Sequence, residues 1–107
     1  MEILPGPYEI LELGDGDTLT TRVVNWQLGE VEIHPAYKPE GKMITALRID
    51  VPEADKEYFP FWWDITSQTL LAQLVPHLEQ PGFERKTYRI TKHGVAPRAR
   101  FSLEVTY

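Results

Sequence analysis

The chain has 107 residues, 42% hydrophobic and 25% charged, a formal net charge of −5 and no cysteine, which excludes disulfides, thiolate nucleophiles and cysteine zinc sites. That length and balance predict one globular domain over residues 1–107, with 12 aromatic residues to furnish a core. No stretch reaches the ~18 to 20 apolar residues of a membrane helix, and Met1-Glu2-Ile3-Leu4-Pro5-Gly6-Pro7 has neither a basic region nor an apolar signal core, so the expectation is a cytoplasmic protein with no membrane partner.

In chain order, Tyr8-Glu9-Ile10-Leu11-Glu12-Leu13 reads as a short strand ended by the turn Gly14-Asp15-Gly16-Asp17. Thr18 to Trp26 is dense in β-branched residues and is expected to form a hairpin with, or lie beside, that first strand. Leu28-Gly29 interrupts, and Glu30-Val31-Glu32-Ile33-His34 then alternates polar with apolar, as a strand buried on one face does. Pro35, Pro39 and Gly41 mark an irregular connection to a fourth strand, Lys42 to Val51, with Leu47, Ile49 and Val51 on one side.

Pro52 to Phe61 reads as a loop, acidic and then aromatic, that closes over the core. A helix follows over Thr66 to Leu78, with Asp64 or Thr66 as N-cap and Leu70, Leu71, Leu74 and Leu78 on one face. Pro76 lacks an amide donor and crowds the preceding turn, which predicts a kink or tightening there, and Pro81-Gly82 ends the helix. The tail reads as a β-hairpin: Lys86 to Lys92, the connection His93-Gly94-Val95-Ala96-Pro97-Arg98, and Arg100 to Tyr107. This order predicts a mainly β fold, a small OB-like barrel or curved antiparallel sheet of about six strands with one α-helix; an α+β arrangement with the helix on one face of a sheet is the alternative.

Sequence motifs give no support to catalysis. His34, His77 and His93 stand alone, without the spacing that presents two imidazoles to one metal, and no nucleophile elbow or phosphate-binding loop is present. The Gly14–Asp17 turn lacks the ligand spacing of a calcium loop. The expectation is a non-enzymatic protein with no catalytic residue, metal or cofactor.

The charge is unevenly divided. Residues 1–83 hold 5 Lys/Arg against 14 Asp/Glu, a balance of −9, whereas residues 84–107 hold 6 against 2, a balance of +4. Arg85, Lys86, Arg89, Lys92, Arg98 and Arg100, interleaved with Tyr88 and Phe101, are the pattern expected of a surface that follows a phosphate backbone. Tyr58, Phe59, Phe61, Trp62 and Trp63 crowd five rings into six residues, too many for one face of an extended chain. Rings left exposed would stack on bases or anchor a protein partner.

The run Trp63-Asp64-Ile65-Thr66-Ser67 into Leu70-Leu71-Ala72-Gln73-Leu74, then Tyr88 to Gly94 and Ala96 to Leu103, resembles the C-terminal half of small phage-type single-stranded DNA-binding OB-like proteins over residues 62–105. The resemblance implies backbone contacts from Arg89, Lys92, Arg98 and Arg100. The chain departs from that pattern in its negative net charge and in carrying Lys92-His93-Gly94 where arginine and glycine would stand. The reading is therefore a binding module for single-stranded nucleic acid. The alternative is a protein-interaction or accessory module of phage or mobile-element type, using the aromatic loop as a hot spot or its acidic face as a nucleic-acid mimic.

Overall fold

Backbone hydrogen bonding sorts the strands into two antiparallel sheets of three, and this sorting decides which side chains can meet. The computed structural model describes residues 2–95 and 97–107; Met1, and Ala96 in the expected connection of the C-terminal hairpin, lie outside the described residues. One sheet has the order β1-β5-β6, from β1 (Thr18–Arg22), β5 (Thr87–His93) and β6 (Arg100–Thr106). The other has the order β2-β3-β4, from β2 (Asn25–Ile33), β3 (Lys42–Asp50) and β4 (Trp62–Ile65). A single helix among the described residues is longer than one turn, α1 (Gln68–Leu78). The fold is mainly β with two antiparallel sheets and one helix, and the pairing closes no barrel.

The run Thr18 to Trp26 breaks where the sequence gives no turn residue. β1 ends at Arg22, buried Val23 fills the core, and the amide of Val24 donates to the carbonyl of Asp50 at 2.8 Å, which carries the chain from one sheet into the other. β1 therefore pairs with β5, Leu19 opposite Ile90 and Thr21 opposite Tyr88, and not with Tyr8–Leu13 as expected. Leu28-Gly29 does not interrupt β2, which runs through to Ile33 in register with β3. The C-terminal hairpin forms as expected, with Ile90 opposite Leu103 and Tyr88 opposite Val105 on its inner face.

The inner faces of the two sheets and α1 enclose the main core. Val23, Leu47, Ile49, Val51 and Ile65 meet Tyr88 and Ile90, and Leu70, Leu74 and Leu78 seal one side at helical spacing. Ser67 caps the helix, its hydroxyl accepting from the amide of Leu70, in place of the expected Asp64 or Thr66. Asp64 is unavailable as a cap because it lies within β4 with its carboxylate taken by Arg48 and the Glu9 amide, and Thr66 stands one residue before the capping position. The helix runs through Pro76 to Leu78.

The first expected strand does not form as a strand. Residues 2–11 instead cross the outer face of the β2-β3-β4 sheet as a strap, bonded at each edge by a single parallel bridge, Ile3 to Glu30 on β2 and Ile10 to Asp64 on β4. The two bridges lie on opposite edge strands of the sheet, so the residues between them cross its face and continue neither ladder. Leu4 is buried against Val31 and Ala46 in a second, smaller core, with Ile10, Ile33 and Ile44 around it. Gly29 makes room for it: a Cβ there would lie 2.6 Å from Leu4 Cγ and 2.8 Å from the Glu2 carbonyl oxygen. Gly29→Ala is expected to cost about 1 to 3 kcal/mol in urea unfolding, the usual cost of overpacking, and to raise hydrogen exchange at the Leu4 and Glu30 amides that hold the strap.

Candidate functional site

Two surfaces hold the residues singled out in the sequence, and the fold turns them away from each other. The aromatic surface starts from alternation along β4. Trp63 and Ile65 pair with Ile49 and Leu47 and face the main core, so Trp62 and Asp64 point to the outer side of the sheet with Arg48. There Arg48 and Asp64 form a two-pronged ion pair, Nε to Oδ1 at 2.7 Å and the second guanidinium nitrogen to Oδ2 at 3.1 Å, with side chains 3% and 0% exposed. The amide of Glu9 in the strap donates to the same carboxylate at 2.9 Å. The Trp62 ring lies on the Arg48 guanidinium, 4.7 Å to its centroid, and its Nε1 donates to the Pro7 carbonyl.

Phe59 builds outward from that base. Its ring meets Trp62 edge-on at 5.7 Å and Phe61 at 6.2 Å, yet Phe59 is 67% exposed and Tyr58 54%. The loop is pinned from beneath by Lys56. Its buried Nζ donates to the carbonyls of Pro60 and Trp62, pairs with Glu9 at 3.4 Å, and lies 4.8 Å from the Tyr58 ring centroid and 4.2 Å from that of Trp63. The Trp63 indole N–H is buried without an acceptor. Of the five rings expected to bind, Phe59 and Tyr58 present open surface, Phe61 and Trp62 half-buried edges, and Trp63 belongs to the core.

Acidic residues occur along the same loop. Glu57 is exposed two residues before Phe59, Asp50 pairs across the ladder with Trp62, and the Glu53–Asp55 turn lies against β1, where Asp55 pairs with Arg22; the cations beside the rings, Arg48 and Lys56, are engaged by Asp64 and Glu9. Burial holds the Asp50 carboxyl above its ordinary range and Asp64 adds to this, while Arg48 pulls it the other way. Asp55 shifts downward instead, because the Arg22 side chain donates to it.

The basic surface is the outer face of the β1-β5-β6 sheet. Arg89 and Arg100 are exposed on it, with Arg89 3.9 Å from Glu104. A row of hydroxyls crosses all three strands at Thr18, Thr91 and Ser102, and Thr18 and Thr91 share a hydrogen bond of 2.9 Å. His93 bonds Ser102 at 2.7 Å. Arg85 and Arg98 are exposed in the segments flanking the hairpin strands.

Three of the expected nucleic-acid contacts are placed differently. Tyr88 is wholly buried, its hydroxyl donating to the Phe83 carbonyl, because it is an inner-face residue of β5 and has no ring surface on which a base could stack. Burial holds that hydroxyl above its ordinary pKa, and Glu84 and Tyr107 add to the shift. Lys86 is buried, bonded to Gln80 at 3.0 Å, with its ammonium over the Tyr107 ring. Lys92 is half-buried on the inner side, its backbone tied to Gly16 and Asp17. The Gly14–Asp17 turn thus docks the hairpin, and Asp15 accepts from the Gly94 amide.

Arg48 and Lys56 carry the geometry of the aromatic surface without having been singled out, and Asp64, expected as a helix cap, instead pairs with Arg48. Arg48 and Asp64 lie 16 residues apart with no helical spacing to connect them; the one signal was a cation inside the alternating run Leu47-Arg48-Ile49. Compared with protein-family models, curated proteins and solved structures, the chain matches none.

Asp64→Ala strands a buried guanidinium and is expected to lose about 3 to 5 kcal/mol, whereas the combined Arg48→Met, Asp64→Leu replacement recovers most of it, as read by urea unfolding. Asp50 has the opposite sign from a paired carboxylate. Its raised folded pKa stabilises the protein fully below about pH 4, the ordinary carboxylate value, and that contribution is lost as pH rises through the folded value. Asp50→Asn is expected to melt higher than the parent at pH 7, with the gain closing towards pH 3.5.

Proposed function

We propose that this protein is a non-enzymatic docking module that takes a protein segment bearing arginine or lysine beside apolar side chains on the patch around Phe59. The observation that carries this reading is a large exposed ring held in place by buried ionic contacts, since the loop gives Phe59 two aromatic neighbours and a pinned backbone. Rigid exposed aromatics lose little entropy on binding and dominate hot spots. Asp50 opposite Trp62 and exposed Glu57 beside Tyr58 in the chain favour a cationic partner, and arginine satisfies both demands because it stacks on aromatic faces and pairs with carboxylates.

The competing reading is single-stranded nucleic acid. Its support is the exposed Arg85, Arg89 and Arg100 with the hydroxyl row of the other sheet, where cations could follow phosphates without base stacking. Stacking and charge neutralisation on a single path are not favoured by rings and cations that point away from opposite sheets.

The test is selection from a displayed library of random peptides. Enriched sequences are expected to combine arginine or lysine with aromatic or branched apolar residues, and Phe59→Ala is expected to abolish their binding while costing no more than about 1 kcal/mol of stability, as for an exposed ring. Enrichment indifferent to Phe59, or a salt-sensitive rise in the anisotropy of a labelled oligonucleotide that Arg89→Gln and Arg100→Gln remove, would give the function to the other sheet.

A further inference from the structure

Resting on that reading, we infer that the partner of the Phe59 patch is the basic sheet face of a second copy of this chain, so that copies associate head to tail. Each molecule carries both halves of the contact. The outer side of β2-β3-β4 bears the exposed Phe59 on Trp62, with Asp50 opposite Trp62 in the ladder and exposed Glu57 two residues before Phe59; the outer side of β1-β5-β6 bears Arg89 and Arg100 among hydroxyls, with Glu104 beside Arg89. The inner sides of the two sheets are joined through one core, so the outer side bearing Trp62 and Phe59 and the outer side bearing Arg89 and Arg100 face away from each other; the loop reaches the basic sheet through Asp55, which pairs with Arg22 on the edge strand β1. A contact between two different patches is heterologous, and repeating it without closure produces an open chain, whereas an isologous pair would stop at two.

The side chains suit each other in kind. Arg89 is held only loosely, 3.9 Å from Glu104 with more than half of its side chain exposed, and Arg100 is exposed at the start of β6. A guanidinium laid on the Phe59 or Tyr58 ring gains cation–π attraction and meets the carboxylates beside it. The pattern has a precedent within the fold, where Arg48 already stacks on Trp62 while pairing with Asp64.

Two variants with one defective half each test this directly. Arg89→Gln with Arg100→Gln removes the basic half, and Glu57→Lys with Phe59→Ala removes the patch; circular dichroism and melting confirm that both fold. In sedimentation velocity the parent is expected to grow beyond a dimer with concentration, and to associate at least ~10-fold more weakly at ~0.5 M than at ~0.05 M salt. Each variant alone should stay monomeric, and an equimolar mixture should form a one-to-one pair and go no further, because only one productive interface remains. A parent that stays monomeric while cationic peptides still bind through Phe59 would overturn this inference and leave the docking reading standing. Loss of peptide binding as well would remove both. A parent that stops at a dimer, or a mixture that stays monomeric, would also overturn it, as would a monomer that binds an oligonucleotide through Arg89 and Arg100.

Discussion

The buried ion pair of Arg48 and Asp64 holds one side of the molecule in place. A guanidinium and a carboxylate removed from water impose a large desolvation cost, tolerated only with close geometry and further hydrogen bonds. Here the extra bonds come from the strap, where Glu9 donates to Asp64, and the cover comes from Trp62 on the guanidinium. The strap, the edge of β4 and the aromatic loop therefore have a common anchor. Lys56 repeats the device one layer out, using Glu9 and two loop carbonyls to keep Tyr58 and Phe59 where they are.

This anchoring explains how the loop between β3 and β4, residues 51–61, can present rings to water without collapsing onto the core. Trp63 takes the inward position on β4 and gives its area to the main core, which leaves Trp62 to the outer side and makes it the floor on which Phe59 rests. The other sheet solves a simpler problem. Its inner face supplies Tyr88, Ile90 and the alternate residues of β6 to the core, and its outer face is left polar, with arginines and hydroxyls. The two outer sides are consequently different in kind, with rings over a buried ion pair on one and arginines among hydroxyls on the other.

Much of the fold was legible in the chain because its signals are local. The helix follows from Leu70, Leu74 and Leu78 at helical spacing, and the C-terminal hairpin from alternation in Tyr88 to Ile90 and Phe101 to Val105. The misread parts were those where a partner distant in sequence overrides the local pattern. Tyr8 to Leu13 has the composition of a strand but finds a partner only at Ile10, and Val23-Val24 turns between sheets without a glycine because Asp50 accepts from Val24. The candidate site divides in the same way. That some rings of residues 58–63 must be exposed follows from alternation, but which ones depends on the register of Trp62 and Trp63 against Asp50 and Ile49.

The sequence by itself determined a mainly β chain with one amphipathic helix, no cysteine chemistry, a charge divided between an acidic body and a basic tail, and rings in excess of what one face can bury. Only the tertiary structure decided where those charges and rings go. Tyr88 and Lys86 belong to the basic run in sequence but are buried, because strand alternation and the docking of the tail against the core send them inward. The rings and the exposed arginines of the tail come to lie on different sheets because β1, which precedes the aromatic loop, pairs with the C-terminal hairpin, while β4, which ends it, pairs with β3. Pairing over such separations is fixed by which apolar faces can be enclosed together, a condition that no stretch of the chain carries alone.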